Sequence, residues 1–179
     1  MSEFERVGTE VQWEGKFIRA GVERFGYPDG SEVTREKVWH PGAVGILAID
    51  EEHVWLTRQP REAVGAQASL EIPAGKLDVP GESPLETGKR ELAEEIGKQA
   101  ASWEELFAFY TSPGFSDERV WIYLATGLSD SGPAEADEDE RIEIVPWARS
   151  RLDDAIAECQ DSKSLIALLW LLARDRSVR

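Results

Sequence analysis

One stretch constrains this chain more than any other: GKLDVPGESPLETGKRELAEEIGK, residues 75–98. Its second half carries marks for both ends of a helix. Ser83 suits the N-cap, Pro84 the first helical turn, and Glu86, three residues after the cap, completes a capping box. Gly97 suits the stop. At about 100° per residue, Leu85, Leu92 and Ile96 form one narrow apolar stripe. Glu91 and Glu95 lie one turn apart and project together beside that stripe, with Gly88 in the same sector. Glu94 points further round, toward solvent. Carboxylates this close repel, so either water screens them or a cation sits between them. Gly88 has no side chain, which predicts that a neighbouring loop packs close, and Ala74-Gly75 is the loop placed to do so. A backbone carbonyl of that loop, two glutamates and waters make an oxygen-rich site for a hard cation such as magnesium or manganese. In isolation the string E-L-A-E-E reads first as a solvated face with ordinary pairs, Glu86 to Arg90 among them. The surroundings decide.

Around this helix the pattern is mostly of short strands. Phe17 to Tyr27 and Glu32 to Trp39 flank the turn tripeptide Pro28-Asp29-Gly30 and predict a hairpin in an N-terminal appendage, residues 1–40. Strand-like runs follow at Val44 to Ile49, Val54 to Thr57, Leu70 to Ala74, Leu106 to Thr111, Val120 to Thr126 and Ile142 to Pro146. In Leu70-Glu71-Ile72 the alternation sends Glu71 to the face opposite its apolar neighbours. Two helices close the chain, one with Leu152, Ala155, Ile156 and Cys159 on a single face. The other has Leu165, Leu168, Leu169 and Leu172 at helical spacing, with Asp161 or Ser162 as its cap. Strands on both sides of a central helix, then terminal helices, predict an α/β (α+β) domain over residues 41–179: a mixed sheet sandwiched between helices.

The 35 acidic against 20 basic side chains give a formal charge of -15, which argues against binding a nucleic-acid backbone. The same charge would repel an anionic substrate unless cations intervene. Cys159 is the single cysteine, so neither an intrachain disulfide nor a cysteine-rich zinc site is expected. The acidic start Met1-Ser-Glu-Phe-Glu does not suit a signal peptide, and Leu165 to Ala173 is too short to span a membrane. A cytoplasmic protein is the expectation.

Gly75, Glu82, Arg90-Glu91-Leu92-Ala93-Glu94-Glu95 and Gly97 together resemble the Nudix box, G-x5-E-x7-R-E-U-x-E-E-x-G-U with U apolar. There are two departures. Six residues separate Gly75 from Glu82, and Lys98 stands at the last apolar position. The extra residue lengthens the turn from Leu77 to Gly81 and leaves the carboxylate register intact. Leu70-Glu71-Ile72-Pro73-Ala74-Gly75 looks like the lead-in of the ADP-ribose pyrophosphatase-like subfamily. Thr111 to Glu118, TSPGFSDE, looks like its downstream signature.

The resemblance implies the Nudix fold with an extra N-terminal sheet exchanged across a homodimer. It also implies hydrolysis of a nucleoside diphosphate conjugate with magnesium or manganese, ADP-ribose giving AMP and ribose 5-phosphate. Nucleotide sugars are alternative substrates, and a non-catalytic ADP-ribose sensor is an alternative of another class. By resemblance the Ala74 carbonyl, Glu91, Glu95 and then Glu94 are the metal-ligand positions, and Arg90 and Glu82 orient the site. The acidic loop Asp137-Glu138-Asp139-Glu140 supplies the general base, Glu138 first and Glu140 second. Arg58 and Arg61 resemble residues that meet phosphate or ribose, and Glu118 one that touches ribose. All three also suit plain exposed surface positions. Trp13, Phe17 and Trp39 are candidates to clip adenine, although core or dimer packing is the commoner role for such side chains.

Overall fold

The computed structural model describes residues 3–133 and 141–177. By internal packing the chain divides into two compact units: Met1–Gly42 with Phe109–Arg119, and Ala43–Ala108 with Val120–Arg179.

The first unit is built on three antiparallel strands in the order β1 (Glu5–Glu14), β2 (Arg19–Gly26) and β3 (Glu32–Trp39). The expected hairpin is β2–β3, joined at Gly30, whose φ of 85° favours glycine. An additional strand, β1, precedes it. Val7, Thr9, Val11 and Trp13 alternate with polar residues there, a period-2 signal that marks a strand although nearly every β1 residue is exposed. Asp117 closes onto β3 in this unit. It accepts from the His40 N–H at 2.9 Å and pairs with Lys37 at 3.1 Å.

The second unit holds a mixed seven-stranded sheet. Its path runs β10 (Glu143–Ala148), β5 (His53–Arg61), β4 (Ala43–Ile49), β9 (Arg119–Asp130), β8 (Lys98–Tyr110), with β6 (Ala66–Glu71) on β5 and β7 (Ala74–Lys76) on β4. The β4–β9 pairing is parallel, while the pairings of β5 with β4, β6 and β10 are antiparallel. β8 is longer than the expected Leu106 to Thr111, because its first half alternates weakly and lies largely exposed.

Helices cover both faces. Leu92 and Ile96 of α1 (Pro84–Ile96) pack on Ile46, Ala48 and Ala125. On the opposite face, a side chain at Gly45 would meet Ile72 and the Lys163 stem of α3 (Ser162–Ser177). Of the expected apolar face, Leu152 and Ala155 of α2 (Leu152–Glu158) and Cys159 at its cap are buried, while Ile156 is only partly so. α3 is rotated from the expected stripe. It buries Ser164, Ala167, Leu168 and Leu171, while Leu169 is half exposed. Its leucine-rich run allows several stripes. Polar anchoring at its first turn selects one: Asp161 caps the helix by accepting from the Ser164 N–H at 2.9 Å.

α1 begins as predicted. Ser83 Oγ accepts from the Glu86 N–H at 3.3 Å, and Glu86 Oε2 accepts from the Ser83 N–H at 2.8 Å. Gly97 stops it at φ 65°. Ser83→Ala is expected to cost about 1 kcal/mol and to lower the midpoint of thermal unfolding by roughly 2–4 °C. An unchanged midpoint would show that the cap contributes nothing.

Candidate active site

The outer edge of α1 gathers Glu82, Arg90, Glu91, Glu94 and Glu95. Arg90 is the hub. Its Nε donates to Glu82 Oε1 at 3.2 Å, and its Nη1 donates to Glu91 Oε1 at 2.9 Å and to Glu94 Oε2 at 2.8 Å. Thr87 Oγ1 donates to the other Glu82 oxygen at 3.0 Å. Burial works against the Arg90 charge, but Glu82, Glu91 and Glu94 outweigh it and hold its pKa above the ordinary value. Arg90 in turn holds the Glu82 carboxyl below the usual range. One arginine thus gathers three of the box glutamates, which is an orienting arrangement.

Glu91 and Glu95 are both more buried than Glu94, as helix geometry predicts. Glu95 is 3% exposed, whereas the side chains of Glu91 and Glu94 are 14% and 41% exposed. Glu95 Oε2 accepts from the Ala74 N–H at 3.0 Å, tying α1 to the start of β7. The close approach between helix and strand occurs at a different glycine from the one expected. Gly88 faces the sheet, with Val44 Cγ2 at 3.3 Å from where its Cβ would stand. Gly75 provides the room instead: an ideal Cβ there would lie 2.0 Å from Glu91 Oε1. Gly88 sits directly over β4 and is filled from that side, so the loop reaches the helix one turn further on.

Do these groups suit a divalent metal? All the donors are hard oxygens, and magnesium-type ions are commonly held by one or two carboxylates with several waters retained. Among the described residues no three acidic, histidine or cysteine side chains converge on one point. Two carboxylates beside the backbone of Ala74-Gly75 satisfy the smaller requirement, with Glu91 filling the space that a Cβ on Gly75 would take.

Arg61 lies in reach of this group's charge, since Glu95 contributes to the raised pKa of its guanidinium. Its Nε and Nη2 donate to Glu71 Oε1 and Oε2, each at 2.8 Å. Arg58 is engaged elsewhere, with Glu158 at the end of α2. Glu118 belongs to the first unit, where its Oε2 accepts from Thr111 Oγ1 at 2.7 Å. Phe17 stands edge-on to His40 in that unit, with ring centres 6.1 Å apart. Glu138 and Glu140 lie outside the described residues. Lys98, the departure at the last box position, is partly buried. Its Nζ lies 4.3 Å from the Trp55 ring centre and pairs with Asp130 at 2.6 Å.

Two site neighbours, Glu71 and Lys163, meet only through the fold. Glu71 is 2% exposed and bonded to both Arg61 and Lys163. Burial pushes its carboxyl up, but the two cations outweigh burial and bring it down to about 2. Alternation separates Glu71 from its apolar neighbours, yet Lys163, its second partner, is 92 residues away.

The family model described as the NUDIX domain matches residues 39–168. An ADP-ribose pyrophosphatase of Mycobacterium tuberculosis is 42% identical over 146 residues, covering 81% of this chain and 70% of its own. One of Bacillus subtilis is 39% identical, and a methanol dehydrogenase activator of Bacillus methanolicus is 38% identical. Each alignment with these two covers 94% of this chain and 92% of the relative. Among solved structures, an ADP compounds hydrolase has the same fold, with a TM-score of 0.81 at 23% identity over 97% of both chains. Hydrolases of this family generally depend on a divalent metal. With the box carboxylates, their arginine hub and the family match in agreement, the chain belongs to the NUDIX family of hydrolases.

Proposed function

We propose that this chain adds water across the diphosphate of ADP-ribose, releasing AMP and ribose 5-phosphate, with magnesium or manganese as its metal. The observation that carries this is the α1 edge: a buried Glu95 and a Gly75-facing Glu91 beside Ala74, in a chain 42% identical to an ADP-ribose pyrophosphatase. Glu91, Glu95 and the Ala74 carbonyl would hold the metal, with Glu94 at its margin. When bound, such a metal neutralises phosphate oxygens and lowers the pKa of a bound water.

The chain's own residues do the rest. Arg90 keeps Glu91 and Glu94 oriented through Nη1, and Glu82 steadies Arg90 from the other side. The Ala74 N–H fixes one Glu95 oxygen and so orients the carboxylate. Arg61 receives a diphosphate oxygen and Arg58 the ribose end, while Glu118 keeps its ribose role on resemblance alone. Glu138, with Glu140 second, takes the proton of the attacking water, a role worth roughly 10²–10⁴-fold in rate.

Residues 1–40 serve as a β appendage for dimerisation and residues 41–179 as the hydrolase domain. Val7, Val11 and Trp13 support an association of two copies, since all three residues are about half exposed on β1. Among the described residues no helix is long and apolar enough to cross a membrane, and we place the protein in the cytoplasm.

The test is turnover of ADP-ribose, GDP-mannose and NADH with magnesium in ¹⁸O-labelled water, with products read by mass spectrometry. ADP-ribose is expected to be the best of the three, with one ¹⁸O in a phosphate product. If it were the poorest, the substrate assignment would be wrong.

A further inference from the structure

We propose that Lys163 is a positioning residue for this hydrolysis: from the first turn of α3 it holds the buried Glu71, and through Glu71 it sets the orientation and the net charge with which Arg61 meets the diphosphate. The inference rests on the proposed role of Arg61 in binding the substrate.

The geometry runs through three elements. Lys163 Nζ donates to Glu71 Oε2 at 2.7 Å and pairs with Asp161 Oδ1 at 2.9 Å, with its side chain only 14% exposed. Glu71, at the end of β6, spends both oxygens on the Nε–Nη2 edge of Arg61. A guanidinium gripped along that edge is fixed in plane, and its Nη1 side keeps N–H groups for a second anion. The Arg61 side chain is 42% exposed, so that side has access to a ligand. The same turn of α3 also secures the adjoining backbone. Ser164 Oγ accepts from the Ile72 N–H at 2.9 Å and donates to Asp161 Oδ2 at 2.5 Å. Ile46 donates to the Pro73 carbonyl at 2.8 Å, and Ala74 donates to Glu95. The residues leading into the box are therefore held in succession by α3, β4 and α1.

Charge gives Lys163 its distinct part. Glu71 and Asp161 carry two negative charges, and Arg61 and Lys163 two positive ones, so the cluster is neutral. Without Lys163 the cluster is left negative, next to a Glu95 charge that Arg61 already feels. A diphosphate approaching Arg61 would then meet repulsion. A buried lysine that only supported the fold would change stability without changing substrate affinity.

The experiment is steady-state kinetics of the full-length protein with Lys163→Met, Lys163→Arg, Arg61→Gln and the double variant Arg61→Gln/Lys163→Met, with folding checked by near-ultraviolet circular dichroism. Lys163→Met is expected to raise KM for ADP-ribose roughly tenfold with kcat within about threefold. Lys163→Arg keeps the charge and should restore KM. In the Arg61→Gln background the KM effect of Lys163→Met should vanish, because the two act in series. An unchanged KM in folded Lys163→Met, or the same rise persisting without Arg61, overturns the proposal. If Lys163→Met does not fold, Lys163→Arg decides: KM near that of the wild type is expected, and a tenfold rise overturns it. A wild-type protein that leaves ADP-ribose intact but cleaves another nucleoside diphosphate conjugate overturns the substrate assignment alone, and the comparison is then made on that substrate. A chain that cleaves none overturns both.

Discussion

Glu95→Gln is expected to lower magnesium-dependent turnover by about a hundredfold or more while the protein stays folded. The carboxylate is 3% exposed and one of its oxygens accepts from the Ala74 N–H. Glutamine has nearly the same shape, and its amide oxygen accepts that same N–H. The replaced group is then the other oxygen, where the anionic donor proposed for the metal becomes an NH₂ that cannot coordinate. Losing even an outer partner of a metal ligand typically costs 10–100-fold in affinity or activity, so losing a ligand should cost at least the upper end of that range. Folding should respond weakly, because the change also removes a buried negative charge and its desolvation cost. The check is kcat across a magnesium titration beside thermal unfolding. Turnover equal to wild type at every magnesium concentration would remove Glu95 from the ligand set.

What was legible in the sequence is what depends on neighbours a few residues apart. The Ser83–Glu86 box, the Gly97 stop and the relative burial of Glu95, Glu91 and Glu94 follow from one helix and its period. Contacts between distant segments were not legible. Lys163 meets Glu71 across 92 residues, and nothing near either residue names the other. The α3 stripe failed for a related reason: its leucines allow several faces, and the choice is made at the helix cap and at Ile72. β1 failed differently. Its alternation is present, but with almost no burial the hydrophobic contrast is weak. Gly88 shares the helix with the carboxylates, whereas the glycine that sets the close approach is on the facing strand.

That strand position carries the other large expected effect. Gly75→Ala should reduce turnover by about 10²-fold, the order of loss that a displacement near 1 Å causes at a reacting centre. The new Cβ would stand 2.0 Å from Glu91 Oε1, 2.1 Å from Cδ and 2.4 Å from Cγ. No carboxylate tolerates this, so Glu91 must swing away from β7, which disturbs its present 2.9 Å contact with Arg90 Nη1. The obstacle is a side chain that can turn aside rather than backbone, so the fold should lose no more than about 1 kcal/mol. Gly88→Ala is the control on the same helix. Its Cβ would meet Val44 Cγ2 at 3.3 Å, and alanine favours a helix interior over glycine by roughly 0.5–1 kcal/mol. Stability near that of the wild type with intact turnover is expected there. If Gly75→Ala were as active as Gly88→Ala, the position of Glu91 against β7 would have no part in the chemistry.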